Sequence, residues 1–317
     1  MPTTHVRKAL AGRLRLKHLE LFRSVMEQHT LRGAAEVSNM TQPAATKLVQ
    51  ELEEMFAVPL FHRGKRGMQP THYGEVMQRH IAILLADMDC MEEEIALVAE
   101  GGEGHIRLGV LPSLAPGLLT RSVDKMLSAH PKVQFSIQEA ATTELLASLS
   151  RNELDLTFAR IPDRDVIEGV RHATVYDEPF AVVTRKSHLL TKTRKPSWKL
   201  LSDATWILPA KGTPMRNFIN ELFSKNASFR LKVAVECSAL EKVRDLIAGT
   251  DMVGVLPRSF LLHGTSRELV PLDLALGPNF APISLFFRHH RDQPPVIDAF
   301  ARMVQAAAIE LDCTRAC

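Results

Sequence analysis

Thr41-Gln42-Pro43-Ala44-Ala45-Thr46-Lys47-Leu48-Val49-Gln50-Glu51-Leu52 is the stretch on which the reading turns. A threonine hydroxyl can cap a helix, and proline is tolerated in the first turn, where its missing N–H costs nothing. A helix is therefore predicted to begin abruptly at Thr41. One face carries Ala45, Leu48, Leu52 and Met55, spaced to pack on neighbouring helices; the other carries Gln42, Thr46, Lys47 and Gln50. These polar side chains gather in the N-terminal half, the part of a recognition helix that enters the major groove, and can donate to base edges and phosphates. A merely solvated face would look the same on this helix alone, so the flanks decide.

Upstream, Leu19, Phe22 and Met26 recur at helical spacing and Leu31 to Val37 predicts a short apolar helix. Downstream, Val58-Pro59-Leu60-Phe61 reads as a short strand, followed by the glycine-framed basic turn His62-Arg63-Gly64-Lys65-Arg66-Gly67. Glycines allow a two-stranded wing to reverse tightly, and cations at its tip can reach a phosphate backbone. Further on, Met77, Ile81, Leu84, Met88, Met91, Ile95 and Val98 alternate spacings of four and three, an a/d seam along a helix from about Gly74 to Glu100. Strict alternation favours pairing between two chains over packing within one domain, and a pair of heads can occupy two half-sites. Glu100-Gly101-Gly102-Glu103-Gly104 reads as a hinge.

From His105 the pattern changes to alternating strands and helices. Ile106 to Val110, Val133 to Gln138 and Leu154 to Phe158 are predicted strands of a parallel unit; a second set runs through Phe180 to Thr184, Trp206 to Leu208, Leu231 to Val235 and Met252 to Leu256. The strand Ile283 to Phe287 and a helix from about Pro295 to Leu311 follow. The expected fold class is α/β: an all-α winged helix-turn-helix over residues 1–73, a dimerising linker helix over 74–100, a hinge at 101–104, and a two-lobed α/β domain. Its first lobe is expected over 105–161 and 268–311, its second over 162–267, with the cleft between them the default ligand site.

Composition fits this plan. The chain has 317 residues, 45% hydrophobic and 24% charged, enough for more than one globular domain. Net charge is only +3, but the first 72 residues hold eleven Lys/Arg against six Asp/Glu and the remainder is two charges negative, a basic head on a slightly acidic body. Cys90, Cys237, Cys313 and Cys317 lack metal-ligand spacing and read as free thiols. The basic start leads into no apolar signal core and no run reaches membrane-spanning length, so a cytoplasmic protein with no membrane partner is expected. An enzyme is the first rival, given 13 histidines, but the sequence holds no glycine-rich phosphate loop, nucleophile elbow or metal-spaced cluster. His289 and His290, adjacent near a strand end, point to opposite faces. No catalytic residue, metal or cofactor is expected. An exported solute-binding protein is the second rival, since it too would have two lobes.

The stretch Leu16 to Glu75 closely resembles the DNA-binding domain of the LysR-type transcriptional regulators. The resemblance is carried by Arg32-Gly33-Ala34-Ala35-Glu36, Thr41 to Lys47, Glu51-Leu52-Glu53, and Val58 to Arg63 through Arg66-Gly67 to Thr71 and Gly74-Glu75. It implies a winged helix-turn-helix, a linker helix that dimerises, and an effector domain resembling type 2 periplasmic binding proteins. It also implies a homotetramer built as a dimer of dimers, bending of double-stranded promoter DNA, and recruitment or blocking of RNA polymerase. For DNA, Thr41, Gln42, Pro43, Thr46, Lys47 and Gln50 match the family's recognition-helix positions, and Arg32, Arg63, Lys65 and Arg66 match or neighbour phosphate contacts. For effector, the family places polar groups where strands end and helices begin: Pro112, Ser113 and Leu114, then Thr142 and Thr143, then Arg160. Pro209, Thr213, Cys237 and Ser238 lie at the matching turns of the second lobe. Arg160 could pair an anionic ligand or form a structural contact at the lobe edge. A small organic anion, aromatic or not, is the expected effector because helix N-termini favour negative charge, with a neutral sugar as the alternative.

Overall fold

A computed structural model describes residues 13–64, 67–161, 170–226, 231–262, 268–274, 276, 281–288 and 294–315. Lys65, Arg66, His289 and His290 lie outside the described residues. The chain forms two compact units, the first comprising residues to Ala96 with Ser150–Glu153, the second Leu97–Leu149 and the chain from Leu154.

The first unit consists of α1 (Leu16–Gln28), α2 (Leu31–Val37), α3 (Gln42–Phe56), the hairpin β1 (Phe61–Gly64) and β2 (Gly67–Pro70), and α4 (His72–Ala99) up to Ala96. Its core gathers Phe22, Val25, Ala34, Ala45, Leu52, Leu60 and Ile81. α1 stops at His29, whose φ of 55° turns the chain, and the Thr30 hydroxyl accepts from the Gly33 N–H at 3.1 Å to start α2. The same device starts α3: the Thr41 hydroxyl oxygen accepts from the Ala44 N–H at 3.4 Å, with Pro43 in the first turn. Ala45, Leu48, Leu52 and Met55 are buried as their spacing predicted, and so is Val49.

The hairpin starts later than its sequence suggests. The strand expected from Val58 begins at Phe61, because Pro59 offers no N–H and the N–H groups of Leu60 and Phe61 donate to the Glu53 carboxylate at 2.7 and 3.3 Å. Gly67 takes φ +86°, and a Cβ there would stand 2.3 Å from the His29 carbonyl, to which the Met68 N–H donates at 2.7 Å. The wing is thus fastened to the turn between α1 and α2. Thr71 joins wing to α4, its hydroxyl donating to the Pro59 carbonyl at 2.7 Å and accepting from the Gly74 N–H at 3.1 Å.

The second unit holds two five-stranded sheets. In chain order its elements are β3 (Gly104–Val110), α5 (Pro116–Ala129), β4 (Val133–Glu139), α6 (Thr142–Ser150), β5 (Leu156–Ala159), β6 (Val170–Tyr176) and β7 (Phe180–Arg185). They continue through α7 (Trp198–Asp203), β8 (Thr205–Leu208), α8 (Pro214–Asn226), β9 (Lys232–Glu236), α9 (Leu240–Gly249) and β10 (Met252–Pro257). The last are α10 (Ser259–Leu262), β11 (Leu269–Pro271), β12 (Ile283–Arg288) and α11 (Pro295–Arg315). The first sheet runs β4-β3-β5-β12-β6 and the second β11-β7-β10-β8-β9.

Both sheets are mixed. β3 lies parallel between β4 and β5, but β12 runs antiparallel to β5 and β6; β8 lies parallel to β9 and β10, but β7 runs antiparallel to β10 and β11. This corrects the expected lobe limits of 105–161 with 268–311, and 162–267. Val170–Tyr176 belongs to the first sheet, as the edge strand beside β12, and Leu269–Pro271 to the second. The edge position explains why the first was missed: a strand paired on one side, with Arg171, His172 and Thr174 among its residues, shows no apolar run. The first lobe is built around Ile106, Leu108, Leu118, Met126, Phe158 and Phe300, the second around Val182, Trp206, Leu208, Phe223 and Val253. The buried Trp206 indole donates its N–H to the Leu201 carbonyl at 2.8 Å. Among the described residues, no helix is long and apolar enough to cross a membrane.

Candidate nucleic-acid interface and effector mouth

α3 presents Thr41, Gln42, Pro43, Lys47 and Gln50 to solvent, while Thr46 is half-buried and its hydroxyl donates to the Gln42 carbonyl at 2.9 Å. That bond leaves Thr46 a methyl group and acceptor lone pairs, so it is the least available donor of the predicted set. The Lys47 ammonium stands 4.0 Å from Glu51, one turn on. Arg32 lies exposed on α2 and pairs with Glu36 through its Nε at 3.0 Å. Arg63 sits in β1 opposite Met68, bringing its backbone to the wing beside the residues outside the described set.

His18, which the sequence reading passed over, and Glu51 and Glu53, quoted there only for the resemblance, orient α3. His18 is buried in α1; its Nδ1 accepts from the Arg15 N–H at 3.0 Å, which leaves Nε2 to donate to the Glu51 carboxylate at 3.0 Å. The hydrogen bond from His18 and the neighbouring charges of Lys47 and Lys17 hold the Glu51 carboxyl below its ordinary range, against a smaller opposing effect of burial. Glu53, two residues on, holds the wing as described above. Polar residues at spacings of 33 and 8 residues from their partners leave no periodic trace, so neither could be found from pattern alone.

In the second unit, parallel order places the ends of β3, β4 and β5 side by side on one edge of the first sheet, and the ends of β8, β9 and β10 on one edge of the second. Pro112 and Ser113 are half-buried after β3, and Leu114 is buried. The Ala115 N–H at the start of α5 donates to the Tyr176 hydroxyl at 2.8 Å, so one donor of that helix end is already used. Thr142 is half-buried and Thr143 exposed in the first turn of α6. The Thr142 hydroxyl accepts from the Arg160 N–H at 3.5 Å, so the turns after β4 and β5 meet.

The Arg160 guanidinium is buried. Nη1 donates to the carbonyls of Ala281 at 2.9 Å and Glu178 at 3.4 Å, and Cζ lies 5.0 Å from the Phe180 ring centre. These contacts of Arg160 are with the chain itself. In the second lobe, Thr213 caps α8 by accepting from the Arg216 N–H at 3.3 Å, and its hydroxyl donates to the Ala210 carbonyl at 2.8 Å. Pro209 and Cys237 are half-buried and Ser238 exposed. Arg216, absent from the predicted set, is buried and donates to the Pro209 carbonyl at 2.8 Å and Glu236 at 3.2 Å, tying together the turns after β8 and β9. Among the described residues, no group of His, Cys, Asp and Glu could hold a metal ion.

Residues 16–75 match the family model of the bacterial regulatory helix-turn-helix protein, lysR family, and residues 99–308 match the LysR substrate binding domain. The chain is 29% identical over 251 residues to the transcriptional regulator GbpR of Azospirillum brasilense, covering 79% of this chain and 73% of that protein. It is 22% identical to the regulator PcaQ of Agrobacterium fabrum, covering 94% and 96%. Among solved structures, the LysR family regulator CbnR superposes with a TM-score of 0.65 at 19% identity, covering 93% of this chain and 99% of that one. CbnR complexed with its target DNA gives a TM-score of 0.66 at 19% identity, covering 93% and 100%; at such identities the likeness speaks for the fold. These relatives are regulators, which sets aside the enzyme and solute-binding readings of the two-lobed body. With both family models together spanning most of its length, the chain belongs to the LysR family of bacterial transcription regulators.

Proposed function

We propose that the chain reads double-stranded promoter DNA as a pair of heads and that its second unit binds a small organic anion that modulates this reading. The observation that carries the DNA reading is the capped start of α3: Gln42, Pro43, Lys47 and Gln50 are exposed in its N-terminal half, opposite its buried apolar face. Gln42, Thr46 and Gln50 reach base edges, while Lys47, Arg32 and the wing cations Arg63, Lys65 and Arg66 neutralise phosphates. Gel-shift titration against the chain's own upstream region, at rising salt and with random-sequence competitor, tests this; binding that ignores salt or is abolished by competitor at equal concentration contradicts it.

Pairing rests on α4. Met77 and Ile81 pack on their own unit, but the seam then turns outward, with Met88 38% exposed, Leu84 48%, Met91 52%, Ile95 63% and Val98 71%. An apolar groove of about 400 Å³ in the first unit, lined by Leu14, Phe56, Val58, Tyr73, Val76 and Leu84, extends this surface. A second copy's linker helix covers it, two such pairs form a tetramer, and the assembled regulator acts through RNA polymerase at the promoter.

The anion reading rests on the adjacent ends of β3 and β4, after which come Pro112, Ser113 and Leu114 and the first turn of α6 with Thr142 and Thr143. From the second lobe, Pro209, Thr213, Cys237 and Ser238, in the turns after β8 and β9, are the further contacts of this reading. A thermal-shift screen of the full chain against organic acids, sulfonates and sugars tests it, because a ligand that binds only the folded form raises the melting temperature. Shifts confined to uncharged sugars contradict it.

A further inference from the structure

Two connections join the sheets of the second unit. Residues 177–179 leave β6 for β7, and the segment that reaches Ala281 returns from β11 to β12. When two lobes swing on such crossings, the motion is absorbed by a few residues in them. A side chain rooted in one lobe and bonded to both crossings therefore governs how far the lobes can move.

Arg160 meets that description. It follows β5, in the middle of the first sheet, and its backbone N–H is bonded to Thr142. Its Nη1 donates to the carbonyl of Ala281 in the returning crossing at 2.9 Å and, more weakly, to that of Glu178 in the outgoing one at 3.4 Å. Its cationic carbon lies 5.0 Å from the ring of Phe180, the first residue of the second sheet's β7. One guanidinium thus touches both crossings and the far lobe. Both bonds leave from one nitrogen, Nη1, whose two N–H groups are held in the guanidinium plane and point at separate acceptors.

Glu178 works from the other side. It is fully buried, its carboxylate accepts from the Ser259 N–H at 3.0 Å, and next to it the Arg258 N–H donates to the Pro179 carbonyl at 2.9 Å. The outgoing crossing is thereby tied to the end of β10 in the second lobe, while Arg160 ties it to the first. Burial opposes the charge of Arg160, and Tyr176, Glu178 and Asp177 support it, so the buried cation belongs electrostatically to this junction.

We propose that Arg160 and Glu178 form a hinge pin that sets the angle between the two lobes. They are positioning residues: they fix how wide the mouth between the strand ends stands without touching its occupant. Only this consequence rests on the effector reading above; the pin itself rests on contacts within the folded chain.

Hydrogen exchange read by mass spectrometry on the full chain, without any ligand, tests the pin through Arg160→Met and Arg160→Lys. Methionine keeps an unbranched apolar stem but is shorter and removes every donor. Peptides over residues 177–181 and 281–285 are expected to exchange about tenfold faster, the loss of one charged hydrogen bond or two ordinary ones, while peptides over 106–110 and 205–208 stay unchanged. Lysine keeps the charge without the fork, and the same two regions are expected to speed up by about threefold. Acceleration at one crossing only, equal acceleration in the lobe cores, or no change overturns the pin. If Arg160→Met does not fold, Arg160→Lys decides by the same pattern. A wild-type chain that shows no thermal shift with organic acids or sulfonates overturns the anion reading and leaves the exchange result standing.

Discussion

Lys47 is exposed on α3 with a carboxylate one turn further along, a placement suited to a phosphate contact. Lys47→Ala is expected to weaken operator binding and to lower the slope of log affinity against log salt by about one unit, measured by titration across salt concentrations. Thr41→Ala removes the cap of the same helix and is expected to cost about 1 kcal/mol in denaturant unfolding. Glu51 gives a pH test. Its carboxyl titrates lower in the folded chain than its ordinary value of 4.5, so its contribution to stability is present above that value and fades as pH falls through the lower, folded one. Glu51→Gln is expected to flatten that part of an acid-unfolding profile, as followed by circular dichroism; an unchanged profile contradicts the His18 link. The Thr41 cap and the Gln42 to Gln50 face were legible in the sequence because they are local patterns. The hydrogen bonds of His18 to Glu51, Glu53 to the wing and Arg160 to Ala281 were not, since each joins residues that only the fold brings together.

At the scale of elements, the wing and the linker helix show how periodicity is divided by tertiary packing. The a/d seam was read as one continuous stripe, yet Ile81 is buried against its own unit while Leu84 to Val98 along the seam face outward, and Leu85 and Leu97, off the seam, are buried. The first turns of α4 therefore serve the domain core and leave the later ones for a partner. Ile95→Glu places a charge on that outward stripe and is expected to shift sedimentation toward a single chain while leaving the melting of the first unit intact. In the wing, Gly67→Ala forces a side chain into a positive-φ position against the His29 carbonyl and is expected to destabilise by about 1–3 kcal/mol, measured by denaturant unfolding. Gly64 and Gly67 marked the hairpin in the sequence, but its first strand was read three residues early because the contribution of Glu53 comes from another element.

For the whole molecule, alternating strands and helices made the α/β class and two lobes legible, and the apolar strands of both sheets fell where periodicity placed them. The return of Ile283–Phe287 to the first lobe was legible, but the claim of Val170–Tyr176 by the first sheet and of Leu269–Pro271 by the second was not. β12 and β6 run antiparallel beside β5, and an edge strand such as Val170–Tyr176 carries too little apolar signal to show which sheet claims it. The crossings, and with them Arg160 and Glu178, follow from that assignment of strands. The central claim is that α3, flanked by its cationic wing, enters a groove as one half of a paired reader. Hydroxyl-radical footprinting of the chain on its own upstream region, at two salt concentrations, tests it most directly. The account predicts paired protected tracts separated by about 10 base pairs or a multiple of that spacing, fading together as salt rises. A single isolated tract, or protection spread evenly along the duplex, would contradict it.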